Sequence, residues 1–274
     1  MNNKMINTVK LIFYFGILET IKYLNSKPMQ LINEEEEERH DNTGKTVVYT
    51  AIFGNMDMLK EPECVSDNVD YVVITDSEIP SSSKWEKYDN SQLYETIKGF
   101  DNRKKNRYCK LFPNELFPEY KYSIYIDGQI RLCGDISKYV TKLKSKPIAM
   151  FGHPYRDDTY MEAMAVVKLN NANPQEVKKQ IAYYRKEGCP EKYGLFENGL
   201  IVMEHFDKRC ASIMKEWWIQ LNRFTMRDQL SFMYSLWKSG YDASFVKMLG
   251  VNMRKCEDIK LDGHGGANGK WNNN

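Results

Sequence analysis

The chain lacks a charge excess, a cysteine pair and any apolar run of bilayer length. Its 39 Lys and Arg against 37 Asp and Glu leave a formal net charge of +2. That excludes the marked basic excess of a dedicated nucleic-acid binder, so no nucleic acid is expected as partner. The six cysteines stand far apart, at positions 64, 109, 133, 189, 210 and 256, with no CxxC among them. A zinc ribbon and a thioredoxin-type motif are thereby excluded. Thiols scattered in this way fit a reducing compartment and serve as small buried hydrophobes. The most apolar stretch, VKLIFYFGIL, covers only residues 9–18, where a spanning helix needs about 20. Lys4 and Lys10 raise the question of a signal peptide, but LETIKYL follows where a small-x-small cleavage site would stand. The expected location is therefore the cytoplasm. No internal repeat is evident.

What is present is an ordinary globular composition. The 274 residues are 42% hydrophobic, 28% charged and 13% aromatic, enough for one large domain or two small ones. The N-terminal stretch reads as a helix. Ile6, Phe13, Ile17, Ile21 and Leu24 fall near one face, while Leu11, Ile12, Tyr14, Phe15 and Leu18 wrap the rest. Such a helix needs cover on more than one side: the body of the protein, a second copy, or a membrane surface it would lie on. A run of five glutamates follows in NEEEEERHDNTG, a solvated helix end or linker. We expect a helical extension and acidic linker over 1–41, a main domain over 42–262, and a flexible Gly/Asn-rich tail over 263–274.

Within the main domain, TVVYTAIFG from Thr46, YVVITD (71–76), YSIYID (122–127), PIAMFGH (147–153) and LFENGLIVME (195–204) read as strands, with ASFVKML as a late one. Between and after them, helices are predicted from Asp101 to Pro113, over DISKYVTKLKS, around DDTYMEAMAVVKL, over PQEVKKQIAYYRKEG, over DKRCASIMKEWWIQLNRF and over RDQLSFMYSLWKSG. Strands alternating with helices in the first half predict a mainly parallel α/β sheet. Ligands of such sheets sit beyond the carboxyl ends of the strands. There the sequence sets Gly54 and Asn55, Asp76, Asp127 and Gly128, and His153.

Asp127 ends a strand that otherwise reads as core. A carboxylate there, followed by a glycine that leaves room for close approach, can meet Mg²⁺ or Mn²⁺ bridging diphosphate oxygens. Asp-Gly is also a common turn dipeptide. In NRKKNRYCK, Arg103, Arg107 and Lys110 stand at i, i+4 and i+7 and share a helix face. That face is either solvated or a source of positive charge for an anion.

Several pieces together carry a resemblance: VYTAIFGNMD, DYVVITD, the helix with Lys110, YSIYIDGQI, GHPYRDDTYMEA, YRKEGCPEKYGLFENGLIV, and RDQLSF after the paired Trp217 and Trp218. In order and spacing, from about Val47 to Phe232, the chain resembles the glycosyltransferase-like domain family that includes plant mucilage-related and turgor-regulation proteins and bacterial homologues. The resemblance implies a GT-A-like fold, a nucleotide-sugar donor (UDP- or GDP-sugar) and a glycan or other hydroxyl acceptor. It also implies a DxD-type metal motif. The matching triplet here is Asp127-Gly128-Gln129, with Gln in the last place, so Mn²⁺ or Mg²⁺ would need further ligands from Asp76, His153 or His264. The resemblance makes Thr50, Ala51, Phe53 and Asp57 the donor loop, with Asp76 near the base or ribose, and selects Arg103, Arg107 and Lys110 as the diphosphate cations. Asp228, which can also cap its helix, is the expected general base, with Glu197 and Glu162 as rivals. His153 and Arg156 in HPYRD are expected at metal or phosphate. Two other readings stay open: a metal-dependent hydrolase on the same scaffold, and a non-catalytic nucleotide or glycan binder, which Gln129 would favour.

Overall fold

The computed structural model describes residues 3–30 and 44–263. The acidic run, the expected domain boundary at 42, nearly all of the tail and His264 lie outside the described residues.

The strands are β1 (Thr46–Ile52), β2 (Val69–Thr75), β3 (Glu86–Lys87), β4 (Tyr122–Ile126), β5 (Ile130–Leu132), β6 (Ile148–Gly152), β7 (Phe196–Glu204), β8 (Val246–Met248) and β9 (Ile259–Leu261). Seven form one sheet in the order β3-β2-β1-β4-β7-β6-β8, and β5 pairs with β9 as a separate ribbon. The sheet is mainly parallel, as expected; β7 alone runs antiparallel, against both β4 and β6. Strand β1 is buried along its whole length, which is why TVVYTAI reads as a continuous run rather than an alternation. The pleat still divides it. Val47, Tyr49 and Ala51 enter the core on one face of the sheet, and Val48 enters the core on the other.

The first face is covered by the Asn102–Leu111 and Lys208–Arg223 helices. Asp101 caps the former, accepting from the Lys104 N–H at 2.8 Å. The other face meets the β5–β9 ribbon and Tyr139 and Val140 of the Lys138–Thr141 helix. A third cluster joins the Thr159–Lys168 and Pro174–Glu187 helices. Pro174 opens the second of these and left-handed Gly188 closes it, as expected.

Two expected elements come out differently. RDQLSFMYSLWKSG is not one helix: Asp228–Leu230 form a 3₁₀ turn and Phe232–Lys238 the α-helix. The N-terminal helix breaks at Gly16 (φ +85°) into Asn3–Phe15 and Ile17–Leu24. It packs on the third cluster through Leu11, Tyr14, Phe15 and Tyr23, while Phe13, Ile17, Leu18, Ile21 and Leu24 face outward. Beyond it Met29 is buried in the main core, and its N–H donates to the His153 carbonyl at 3.1 Å. Among the described residues no helix is long and apolar enough to cross a membrane.

Candidate functional site

The carboxyl ends of β1, β2 and β4 meet in one place. Just past β1, Gly54 and Asn55 both take left-handed backbone, with φ of +62° and +53°. Both oxygens of Asp76 accept the Gly54 N–H, at 2.9 and 3.1 Å. Asp76 thus fastens the loop after β1. A Cβ at Gly54 would lie 1.9 Å from Asn102 Nδ2, so the loop also seats against the start of the basic helix.

Past β4, Asp127 stays at the rim with about a quarter of its side chain exposed. Its N–H donates to the Gly199 carbonyl at 2.8 Å. Its Oδ1 accepts from Tyr125 Oη at 2.9 Å and lies 3.4 Å from Lys110 Nζ. Gly128 is required by packing: a Cβ there would come within 3.0 Å of Ile52 and of the Asp57 carboxylate.

Lys110 is fully buried and sits 4.9 Å from the Tyr125 ring centroid. Its Nζ donates to Asp228 Oδ2 at 2.7 Å, while Arg107 Nη2 lies 3.3 Å from Asp228 Oδ1. Burial opposes charge on Asp228, but Arg107, Lys110 and Arg227 outweigh it and hold this carboxyl well below the usual carboxylate range. Arg107 is mostly buried, with 15% of its side chain exposed, and Asp228 and Asp127 more than offset that burial, so its pKa is raised. Arg103 goes the other way. Partial desolvation of this largely exposed side chain, then the like charges of Arg227 and Arg107, lower its pKa. Three guanidiniums crowded together make a place for an anion.

A cleft of about 280 Å³ opens over this arrangement. It is lined by Ala51, Phe53, Asp57, Arg103, Arg107, Asp127, Gly128 and Arg227, among others. A neighbouring hollow of about 460 Å³ shares Ile52 and Asp57 with it and extends over Asn55, Val73, Thr75 and Ser77. Thr50 is buried within β1 and lines neither. Arg227 escaped the sequence reading, although it stands beside Asp228 in RDQLSF. Asn170 and Asn171, which also line the cleft, carry no sequence signal; they reach it from the loop after a helix.

The remaining expected residues form a separate network. His153 Nδ1 accepts the N–H groups of Tyr155 and Arg156, at 3.2 and 3.1 Å. Burial, then Arg156 and Arg254, push its pKa down to about 3, so the ring is neutral. Arg156 Nε donates to Glu162 Oε2 at 2.6 Å. Burial raises the pKa of Glu162 despite that partner. Glu197 accepts from Arg254 Nη1 at 2.5 Å and from the Met253 N–H at 3.2 Å. None of these four lines the cleft that carries Asp127.

Among the described residues, no three His, Cys, Asp or Glu side chains are gathered as a metal site. Asp127 is therefore not joined by Asp76 and His153 in a protein-made cage. Gln129 is half-buried, and its carbonyl accepts the Asp262 N–H. What the cleft does offer is two hard oxygen donors, Asp127 and Asp57, beside Gly128. That set fits a Mg²⁺- or Mn²⁺-type ion whose other ligands come from substrate phosphates.

Residues 16–260 match the family model described as TOD1/MUCI70, glycosyltransferase-like domain. The chain is 26% identical over 210 residues to the probable hexosyltransferase MUCI70 of Arabidopsis thaliana, a match covering 68% of this chain and 36% of that protein. It thus spans about a third of its relative's length. Among solved structures, it is similar to the galactosyltransferase LgtC bound to donor and acceptor sugar analogues, with TM-score 0.41, 12% identity, and coverage of 74% of this chain and 72% of that one. It is likewise similar to mouse xyloside xylosyltransferase 1, with TM-score 0.43, 8% identity, and coverage of 75% and 84%.

Proposed function

The chain belongs to the TOD1/MUCI70 glycosyltransferase-like domain family, and we propose on that premise that it transfers a sugar of the hexose class from a UDP or GDP donor to a hydroxyl of a glycan or related acceptor. One observation carries the reading: Arg103, Arg107 and Arg227 crowd a cleft with Asp127 at the carboxyl rim of a mainly parallel sheet, where α/β folds receive their ligands.

Breaking a sugar–phosphate bond leaves a diphosphate with an added negative charge. Preorganised cations in a partly dry cleft stabilise that charge as it develops. The three arginines face it, and buried Lys110 supports it from below. Asp228 pins Lys110 and Arg107 in place, and its bound, ionised carboxylate makes it a positioning residue rather than a base. A Mg²⁺ or Mn²⁺ ion would be held by Asp127 with Asp57 and, when bound, would add positive charge beside the diphosphate. The hollow beyond Asp57, lined by Val73, Thr75 and Ser77, suits the nucleoside.

Glu162 is paired with Arg156 outside the cleft, so we assign it no part in taking the acceptor proton. We propose that the outward apolar strip of the N-terminal helices meets a membrane surface or a second copy.

Incubation with UDP- and GDP-hexoses, read by release of nucleoside diphosphate, tests the reaction. Slow release that an acceptor glycan accelerates, and that Asp127→Ala abolishes, is expected. Release by wild type that no acceptor accelerates would point to the hydrolase, and unaltered release by Asp127→Ala would remove Asp127 from the site.

A further inference from the structure

Asn198 lies on β7 between Glu197 and Gly199 and is almost wholly buried, at 4% exposure. Neither its amide nitrogen nor its amide oxygen has a hydrogen-bond partner. Buried amides are nearly always satisfied, and one left with both atoms bare is costly. Nε of Arg107 and Nε of Arg227 are also buried without partners, and both arginines line the cleft.

Register places Asn198. β4 and β7 pair as Tyr125 with Ile201 and Ile126 with Leu200. The next step sets Asp127 against Gly199, as their 2.8 Å backbone bond shows. Asn198 is the next residue along β7, where β4 gives way to the turn of Asp127, Gly128 and Gln129, and Asp127 and Gly128 line the cleft. The pleat then gives the face. Glu197 turns to Met253 and Arg254, and a Cβ at Gly199 would meet Met253 as well. Phe196 turns the opposite way, its ring 6.2 Å from that of Phe232. Gln229, next to Asp228, donates to the Phe196 carbonyl. Alternation puts Asn198 on the face of Phe196 and of the Asp228 turn. There β7 departs from β6, whose register shifts between Met150 and Phe151.

We propose that Asn198 reads the transferred sugar, its amide donating to one sugar hydroxyl and accepting from another beside the Asp127 rim. The assignment rests on the donor-site reading above and narrows it: Asn198 recognises the hexose, whereas the arginines recognise the diphosphate common to every donor. A paired donor and acceptor on one planar group suits two adjacent ring hydroxyls, so Asn198 determines sugar specificity.

The test compares UDP-hexoses and GDP-hexoses with UDP and GDP by calorimetric titration, in wild type and in Asn198→Leu, an apolar residue of similar size. Affinity for the preferred nucleotide sugar should fall by roughly tenfold or more, while affinity for the matching nucleoside diphosphate stays within about twofold. The thermal midpoint of the ligand-free variant should hold or rise, because an unpartnered polar group has been removed. Asn198→Ala should show the same split of affinities, which covers a failure of the leucine variant to fold. Equal loss for both ligands, no loss for either, or a midpoint several degrees lower in both variants overturns the assignment. Wild-type protein that binds neither UDP, GDP nor their hexoses overturns the donor-site reading along with it. Wild-type binding that both variants keep intact overturns the assignment to Asn198 alone.

Discussion

Lys110 and Asp228, 118 residues apart in sequence, form a buried ion pair with Nζ 2.7 Å from Oδ2. Neither is reached by bulk water to any extent, and the pair joins the basic helix to the turn that carries Arg227. Removing one partner leaves the other charged and buried. We expect Lys110→Met to destabilise the fold by roughly 3–5 kcal/mol, measured by urea denaturation. Asp228→Ala should cost at least as much, since Arg107 also loses its partner. The double variant should cost clearly less than the sum, because each change removes the charge that the other exposes. Additive losses would show that the two groups are not coupled.

Arg103 and Arg227 are a different case. Arg103 is crowded by like charges, so it contributes to an anion site more than to the fold. Arg103→Ala and Arg227→Ala should each weaken UDP or GDP binding by about tenfold, or about 1.4 kcal/mol; Arg103→Ala should leave the thermal midpoint of the free protein unchanged or slightly raised, whereas Arg227→Ala should lower it, because Arg227 also helps hold Asp228 ionised. Calorimetric titration beside a thermal melt checks both halves.

Two buried histidines set the acid response. Burial, then Arg156 and Arg254, lower the pKa of His153 to about 3; burial lowers that of His205 to about 4 although backbone carbonyls favour its charged form. The unfolded chain protonates both near 6.5 and the folded chain does not. The unfolded state therefore binds more protons in this window, and stability is lost as pH falls from about 6.5 toward 4. We expect a loss of roughly 1–3 kcal/mol across that range by urea denaturation, reduced in His205→Gln. A stability flat from pH 7 to 4 would show that these rings already titrate at their ordinary value.

Much of this was legible beforehand for physical reasons. Strands buried on both faces read as unbroken runs such as TVVYTAI, and Asp127 announces itself by ending one. The spacing of Arg103, Arg107 and Lys110 placed them on one face, and the structure delivers all three to the same centre. What escaped depends on distant partners. LFENGLIVME reads alike in either direction, so the reversal of β7 was not visible. Nothing local shows that Arg254 holds Glu197, 57 residues away, or that Asp228 is held by two cations of a remote helix. The bare amide of Asn198 exists only in three dimensions. The sequence asks for cover around Phe13 and Ile17 without saying whether the body, a second copy or a membrane surface gives it; they face away from the body because Leu11, Tyr14, Phe15 and Tyr23 suffice to dock the helix.

Gly54 tests the loop that builds the cleft floor. Its φ of +62° and the 1.9 Å approach of Asn102 to a virtual Cβ leave no room for a side chain. Gly54→Ala should destabilise by about 1–3 kcal/mol and weaken nucleotide binding by moving the loop that Asp76 fastens. Adding Asn102→Ala should recover part of the stability by relieving the contact, while the strained backbone keeps the rest. Urea denaturation of the three variants gives the answer.

Calorimetric titration of UDP and GDP into wild-type protein and into Asp127→Asn, each with and without Mn²⁺, bears most directly on the proposed donor site. The account predicts saturable binding of one nucleoside diphosphate by wild type, tightened by Mn²⁺, and a variant that folds as wild type but gains nothing from the metal. Absence of binding to either nucleotide, or a variant whose affinity and metal response match wild type, would contradict it.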